Sequence, residues 1–275
     1  MARPQCRGKG GGVQLGRYLA AVATGKKTID RVLSRSGACS RSQAREWIAA
    51  GRVQVNGKVV RDPDAWIDPV RQRLALDGAP VQAQRKEVWM LHKPVGVVTT
   101  AKDEHGRDTV YALLPKELPW LAPVGRLDQD TSGLLLFTND SDLAHAITEP
   151  KSKLPKTYEV RCKGPLRDEQ LDRLRNGVEL PDGPTLPCPV ERFDDDDRSS
   201  RLRIVLTEGR NRQIRRMLQA VGSRVHTLHR VRIGPLPLGE LPEGACRRLS
   251  ADEVAALRRA VSASGRQHPS RGSAR

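Results

Sequence analysis

Residues 125–140 read Gly-Arg-Leu-Asp-Gln-Asp-Thr-Ser-Gly-Leu-Leu-Leu-Phe-Thr-Asn-Asp, and the interpretation of the whole chain starts from them. Two carboxylates, Asp128 and Asp130, precede the apolar run from Leu134 to Phe137, which has the length and flanks of a buried strand. A charged loop that leads into a buried strand places an acid at the edge of a core, where its reactivity can be tuned. Read alone, the same pattern also fits an Arg-Asp turn that only caps a strand.

The composition indicates a polyanionic partner. The chain has 275 residues and a formal net charge of +16, enough length for one ordinary domain and a small one. Residues 1–27 carry six basic residues and 258–275 carry five, with no acid in either segment. Both segments are poor in large apolar residues, so we predict disordered basic tails that add sequence-independent affinity for nucleic acid.

The cysteines and histidines point to reduced thiols and to no metal site. Five cysteines lie at wide, irregular spacings without a Cys-x-x-Cys pair, which favours a reducing compartment, and we predict a cytoplasmic protein. His226 and His229 are three residues apart, but no nearby cysteine or acid completes a zinc set. The weak apolar stretch Leu19–Ala23 is too short for a signal peptide, and no run is long enough to cross a membrane.

The pattern of elements predicts two domains joined by a linker. Two short helices and an Asn56-Gly57 hairpin form a compact unit at residues 28–77, followed by a polar linker at 78–86. In residues 87–257 the predicted strands are not separated by a helix each time, which indicates an α+β domain with a mixed, mainly antiparallel sheet flanked by helices. The predicted strands are 88–91, 97–98, 134–137, 158–160, 202–206 and 225–231, and the predicted helices lie near 109–114, 141–148, 168–176 and 211–221. We expect the four acids Asp194 to Asp197 to form a turn that faces away from a polyanionic ligand.

Five motifs, in order along the chain, resemble those of the RNA pseudouridine synthases. The form is that of the branch that contains ribosomal small-subunit synthase A and large-subunit synthases B, E and F. Residues 28–77 are similar to the S4 RNA-binding domain that often precedes this catalytic domain. The motifs are Lys93-Pro94-Val95-Gly96, Gly125-Arg126-Leu127-Asp128 with Thr131-Ser132-Gly133-Leu134-Leu135, Lys156-Thr157-Tyr158, the basic segment Glu208 to Met217, and the segment from Val225 to Leu249.

The resemblance implies conversion of uridine to pseudouridine in ribosomal RNA, with a slight preference for the large subunit and without a cofactor or metal. Asp128 aligns with the essential aspartate of the family, and a carboxylate is a natural stabiliser of the positive charge that develops on a sugar when its bond to the base breaks. Arg215 matches the basic residue that pairs with that aspartate, and Tyr158 matches the tyrosine that packs on the target base. Asp130 is the rival carboxylate, which we interpret as loop-forming.

Other residues are predicted to bind the substrate. Arg126 is expected to help displace or replace the flipped base, or to order the loop around it. Leu228 is expected to form an apolar wall of the pocket, although core packing explains Leu228 nearly as well. Arg210, Arg212 and Arg216 lie at the start of a helix, where they would meet phosphate. In the S4 segment, Arg41 and Arg45 are one helical turn apart and share a face, which would either bind RNA phosphates or be a solvated helix surface.

Two alternatives belong to other classes of protein. A catalytically silent RNA-binding or ribosome-assembly factor could have the same scaffold, but it would be expected to lack Asp128, Tyr158 or Arg215, and all three are present. A glycosidase would use an acid pair at a defined separation, and aromatic residues for a sugar platform make up only 3% of the chain. We therefore predict a monomeric enzyme whose partner is ribosomal RNA or a ribosome-assembly intermediate.

Overall fold

The computed structural model describes residues 25–101 and 103–266, and they divide into two compact units. The first unit contains the described residues up to Lys86 together with Glu117–Ala122, and the second contains Glu87–Lys116 and the described residues from Pro123 onward. Of the predicted tails at 1–27 and 258–275, residues 1–24 and 267–275 lie outside the described residues, as do the apolar stretch Leu19–Ala23 and Cys6.

The first unit contains two helices, α1 (Ile29–Arg35) and α2 (Arg41–Ala49), with one short strand before them and others after them. The Ser40 side chain accepts a hydrogen bond from the Gln43 amide and so caps α2. The strands are β1 (Lys27–Thr28), β2 (Val53–Val55), β3 (Lys58–Val59), β4 (Trp66–Ile67), β5 (Leu74–Leu76) and β6 (Ala79–Pro80). They form a sheet of order β3-β2-β5-β6 and a separate β1-β4 pair.

The predicted hairpin of the first unit is confirmed, whereas its boundaries are wider than predicted. Asn56 and Gly57 both have positive φ angles, 50° and 79°, as the tight turn between β2 and β3 requires. The structure places Lys27 in β1 and Ala79–Pro80 in β6, so the predicted domain of 28–77 is too short at both ends. The extra residues are held by strand pairing, which a polar composition does not reveal.

The second unit is built on a large mixed sheet. Its helices are α3 (Ser141–Thr148), α4 (Asp168–Asn176), α5 (Gln213–Ala220) and α6 (Ala251–Arg266), with 3-10 turns at Val110–Leu113 and Pro150–Ser152. Its strands are β7 (Val88–Lys93), β8 (Ala122–Val124), β9 (Ser132–Thr138), β10 (Lys156–Lys163), β11 (Glu179–Leu180), β12 (Gly183–Pro184), β13 (Val190–Asp196), β14 (Ser199–Leu206), β15 (Val225–Ile233), β16 (Leu236–Pro237) and β17 (Cys246–Arg248).

The sheet order is β13-β14-β10-β15-β9-β7-β17, with β16 beside β15 and β8 beside β9. The strand pairs with a determined register are antiparallel except β9 with β15, which run parallel. The predicted α+β class with a mixed, mainly antiparallel sheet is confirmed. Helices α4 and α5 pack in one apolar cluster with β10 and β14, and α3 and α6 pack in another with β7 and β9.

The sequence misjudged three segments of this unit. Residues 97–98 do not form a strand, and only an isolated bridge joins Val98 to Thr109. Three of the four acids from Asp194 to Asp197 lie within β13 rather than in the turn, because pairing with Arg201 and Arg161 offsets their mutual repulsion. Helix α6 continues through Arg258 to Arg266, so the predicted end at residue 257 is wrong; Ala260 and Val261 pack against the core and extend the helix.

Two further findings concern the described residues alone. Cys39, Cys162, Cys188 and Cys246 are free thiols. Within 25–101 and 103–266, no helix has both the length and the apolar character that crossing a membrane requires.

Candidate active site

The loop that carries Asp128 is held in place by the motif at Lys93. The Lys93 side chain is fully buried, and its Nζ donates to the backbone oxygens of Pro94 and Thr131, both at 2.8 Å. Gly96 and Gln129 exchange two further hydrogen bonds. The early lysine motif therefore fixes the part of the loop that directly follows Asp128, at Gln129 and Thr131.

Gly133 allows the loop to approach the neighbouring strand. It has a φ of +109°, and a Cβ at this position would lie 2.3 Å from the backbone oxygen of Arg230. Gly133 pairs with Arg230 where β9 runs parallel to β15. No other residue type fits this close approach without moving β15.

A cavity of about 450 Å³ opens above this loop. It is lined by residues from three distant parts of the chain, and these include most of the predicted site. The predicted residues in its wall are Arg126, Asp128, Tyr158, Arg210, Arg212 and Leu228, and they are joined there by Lys156 and Arg230. Arg215 and Arg216 are not in the wall.

The two carboxylates of the loop have different partners. Asp130 receives two hydrogen bonds from Arg212, at 2.8 and 3.1 Å, and its carboxylate lies 3.3 Å from Nη2 of Arg215. Burial alone would raise the pKa of Asp130, but the hydrogen bond from Arg212 and the charges of Arg215 and Arg212 outweigh it, so the pKa is lowered. Among the described residues, Asp128 forms one ion pair, with the Arg212 guanidinium at 3.7 Å, and its charge also interacts with those of Lys93 and Arg215.

The predicted pairing of Arg215 with Asp128 is wrong in this structure. Arg215 Nη2 instead donates to the backbone oxygen of Asp130 at 2.7 Å and so fixes the course of the loop. The reason is the start of α5: Arg212 occupies the position before the helix in a left-handed conformation, with φ of 47°. Its side chain reaches both carboxylates, while Arg215, within the first turn, reaches the backbone oxygen and the carboxylate of Asp130.

The predicted phosphate-binding arginines are engaged within the protein. Arg210 donates to the backbone oxygen of Gly183 at 2.8 Å and to the Glu208 carboxylate at 3.2 Å, and Arg216 pairs with Asp182. By contrast, Arg126 is exposed and makes no hydrogen bond or ion pair with the described residues. Among these arginines, Arg126 is thus the one available to a ligand without breaking an internal contact.

The sheet face beneath the cavity carries the aromatic and apolar residues. Tyr158 on β10 pairs with Arg230 on β15, and Val160 pairs with Leu228 two residues further on. Alternation along a strand therefore places all four side chains on one face. Leu228 is 7% exposed and belongs to the apolar core as well as to the cavity wall, so both predicted roles are compatible.

Lys93, Lys156 and Arg230 lie within the motifs found in the sequence, but no role in the site was predicted for them. A signal existed for the last two, because Lys156 is two residues from Tyr158 and Arg230 is two residues from Leu228. A period of two places such pairs on the same face of a strand. The burial of Lys93 had no comparable signal, since a lysine is rarely buried completely.

His229 lies beside the site without completing a metal set. Its Nδ1 is 2.9 Å from the Ser132 hydroxyl, and burial, with His92 nearby, lowers its pKa. The part of the chain that the structure describes contains no cluster of three or more metal-ligating side chains.

In the first unit, the predicted RNA-binding arginines surround a buried acid. Asp30 is fully buried and receives two hydrogen bonds from Arg41, at 2.7 and 3.1 Å. Arg45 bonds Asp64 at 2.8 and 3.0 Å and approaches Asp30 at 3.4 Å. The shared face of the two arginines is confirmed, and each remains about half exposed.

Comparisons with known proteins cover most of the chain. The family model described as RNA pseudouridylate synthase matches residues 87–220, and the S4 domain model matches residues 27–65. A protein of Aquifex aeolicus named as an uncharacterized RNA pseudouridine synthase is 39% identical over 85% of this chain and 94% of its own length. Ribosomal large subunit pseudouridine synthase B of Bacillus subtilis is 37% identical over 84% of this chain and 95% of its own. A crystal structure of a pseudouridylate synthase, 31% identical, superimposes with a TM-score of 0.62 over 84% of this chain and 99% of that one.

Proposed function

Because this chain belongs to the RNA pseudouridine synthase family, we propose that it converts particular uridines of ribosomal RNA to pseudouridine. The observation that carries the proposal is the joint presence of Asp128, Tyr158 and Leu228 in one cavity wall. The name of the Bacillus subtilis relative supports large-subunit RNA as the substrate. As an enzyme acting on ribosomal RNA or an assembly intermediate, it would work in the cytoplasm, and we propose a monomer.

Asp128 is the proposed catalytic carboxylate. Breaking the bond between the uracil N1 and the sugar builds positive charge on the sugar, which a carboxylate stabilises directly or by forming a covalent bond. The side chain lies in the cavity wall and is partly exposed, at 28%. Its carboxylate accepts no hydrogen bond from the described residues. The Arg212 guanidinium, 3.7 Å away, stabilises its negative charge.

Tyr158 and Arg126 are proposed to hold the target nucleotide. A base must leave its helix before its sugar bond is accessible, and a tyrosine ring offers it a stacking surface. Tyr158 lies on a rigid central strand between β14 and β15, which suits this role. Arg126 is exposed at the cavity edge and is proposed to take the place of the flipped base or to contact the backbone around it. Arg215 is proposed to act by positioning the loop.

The test is the Asp128→Asn variant, matched with Asp197→Asn on the exposed β13–β14 turn. Pseudouridines are mapped in ribosomal RNA from cells that lack the gene, complemented with each variant. We expect wild type and Asp197→Asn to restore the same site and Asp128→Asn to restore none, with RNA affinity nearly unchanged because one charge is lost from a very basic protein. Restoration by Asp128→Asn would refute the assignment of the carboxylate. A binding-only factor would give no gene-dependent pseudouridine at all.

A further inference from the structure

The guanidinium of Arg230 differs from the other arginines of the cavity. Arg230 is only 3% exposed, and its Nε donates to the Leu134 backbone oxygen at 2.8 Å. Its Nη2 is buried without a hydrogen-bond partner, and no carboxylate of the described residues pairs with it. Leaving a buried charged donor unsatisfied is costly, and Arg230 lies in the cavity wall.

A second cation lies on the same face. Lys156 is in the cavity wall on β10, two residues from Tyr158, and its Nζ donates to the Leu154 backbone oxygen at 3.1 Å. Burial, and secondarily the positive charge of Arg230, lower the pKa of Lys156 to about 8. The two positive charges therefore repel each other, and no carboxylate of the described residues pairs with either. Such an arrangement favours an anion or carbonyl oxygens in the space they share.

The reaction supplies a negative charge that this pair can stabilise. When the bond between C1′ and N1 breaks, the uracil ring keeps the electron pair, and the charge spreads over N1 and the two carbonyl oxygens. A new bond then forms between C1′ and C5, the C5 proton leaves, and a proton is added at N1, so that atoms and charge balance. The carboxylate of Asp128 can stabilise the positive charge on the sugar. The negative charge on the detached base requires a positively charged group instead.

We propose that Arg230 Nη2 and Lys156 Nζ form a cationic floor that binds the carbonyl oxygens of uracil and stabilises the detached base. The proposal rests on the pseudouridine synthase function stated above. A base stacked on Tyr158 would have its edge over the strand positions of these two residues, since Tyr158 pairs with Arg230. The same donors select uracil over cytosine, because the amino group of cytosine is itself a donor and finds no acceptor there.

The test compares Arg230→Met, Arg230→Lys and Lys156→Met with a matched control, Arg224→Met. Arg224 is exposed just before β15 and makes no side-chain ion pair with described residues. Single-turnover rates are measured with excess protein on an RNA that contains the mapped uridine, together with RNA affinity and the melting temperature. We expect Arg230→Met to lower the rate about 10²-fold or more, as loss of one charge-stabilising donor does, and Lys156→Met at least about tenfold. RNA affinity should stay within about twofold, Arg230→Lys should retain more activity than Arg230→Met, and Arg224→Met should react like wild type.

A second substrate separates stabilisation of the base from a structural effect. In 2-thiouridine the detached ring holds its negative charge more easily, so the rate loss of Arg230→Met should be smaller on this substrate than on uridine. A structural defect would slow both substrates equally and would overturn the proposal, as would wild-type rates for Lys156→Met and Arg230→Met. If Arg230→Met does not fold, the rate losses of Lys156→Met on uridine and on 2-thiouridine are compared in the same way and test the proposal. Absence of pseudouridine with the wild-type protein would instead refute the underlying function.

Discussion

At the residue scale, the environments of Asp128 and Asp130 assign them different tasks. Asp130 is the acid that binds Arg212 and Arg215, and Asp128 is the acid left facing the cavity. The sequence indicated this division, since it treated Asp130 as loop-forming. It could not show that Arg215, predicted to pair with Asp128, pairs with Asp130 instead. The order of residues along the chain does not determine which of two neighbouring carboxylates lies closer to α5.

We predict that Asp130→Asn lowers the turnover rate about tenfold without abolishing it. The substitution removes the charge that holds Arg212 and Arg215, so the loop is less well oriented and Arg212 binds Asp128 more closely. Single-turnover kinetics check the size of the loss, with Asp197→Asn as the control. A loss as complete as that of Asp128→Asn would mean that Asp130 takes part in the chemistry.

At the element scale, helices α3 and α4 have the boundaries that the sequence predicts. Asp140 caps α3 by accepting from the Leu143 amide, and Gly177 follows the last residue of α4 with a positive φ. Local signals of this kind are readable from sequence. The end of α6 could not be predicted from the sequence, because its last turns depend on tertiary contacts of Leu257, Ala260 and Val261.

We predict that Arg258→Met destabilises the second unit by about 1–3 kcal/mol, the range for a hydrogen bond to a charged group. Arg258 pairs with Asp140, which is only 1% exposed, so the substitution removes the cation from a buried carboxylate. Urea denaturation of Arg258→Met and Arg259→Met measures the difference. Arg259 is the exposed neighbour, and its loss should cost far less. Equal stability of the two variants would mean that the ion pair between Arg258 and Asp140 contributes little to the fold.

The burial of Lys93 predicts how the free energy of unfolding depends on pH. Burial is the main cause that lowers the pKa of Lys93 to about 8 from an ordinary 10.5, against the opposing charges of Asp130 and Asp128. Between these two pH values the unfolded chain keeps a proton that the folded chain has lost, so the contribution of Lys93 to the free energy of unfolding rises with pH. Wild type should therefore gain about 3 kcal/mol relative to Lys93→Met between pH 7.5 and 10.5. Urea denaturation of both proteins across this range gives the difference, and a constant difference would contradict the assignment.

At the scale of the whole molecule, charge predicts the class of partner better than any single arginine does. The net charge of +16 indicated a polyanion, and the S4 and synthase families support an RNA substrate. Individual contacts were less predictable: Arg41, Arg45, Arg210 and Arg216 all have acidic partners within the protein. Which basic side chains are neutralised depends on acids far away in sequence, such as Asp182 for Arg216.

We predict that replacing Arg271 and Arg275 by glutamine weakens binding of target and unrelated RNA by the same factor. Basic residues of this kind contact phosphates, so the slope of log affinity against log salt should become shallower by up to about two. Filter binding between 50 and 200 mM salt measures the slopes, and mapping of pseudouridine measures site choice, which should not change. A selective loss for the target RNA would show that these residues help to choose the site.

The parallel pairing of β9 with β15 also sets the order in which the protein can become active. Gly133 reaches its partner Arg230 only across nearly a hundred intervening residues, and the cavity uses walls from both regions. Synthesis from the N-terminus completes the aspartate loop long before β15 exists. A nascent chain that has not reached β15 therefore has Asp128 without the complete cavity, and the site can form only after β15 has been synthesised.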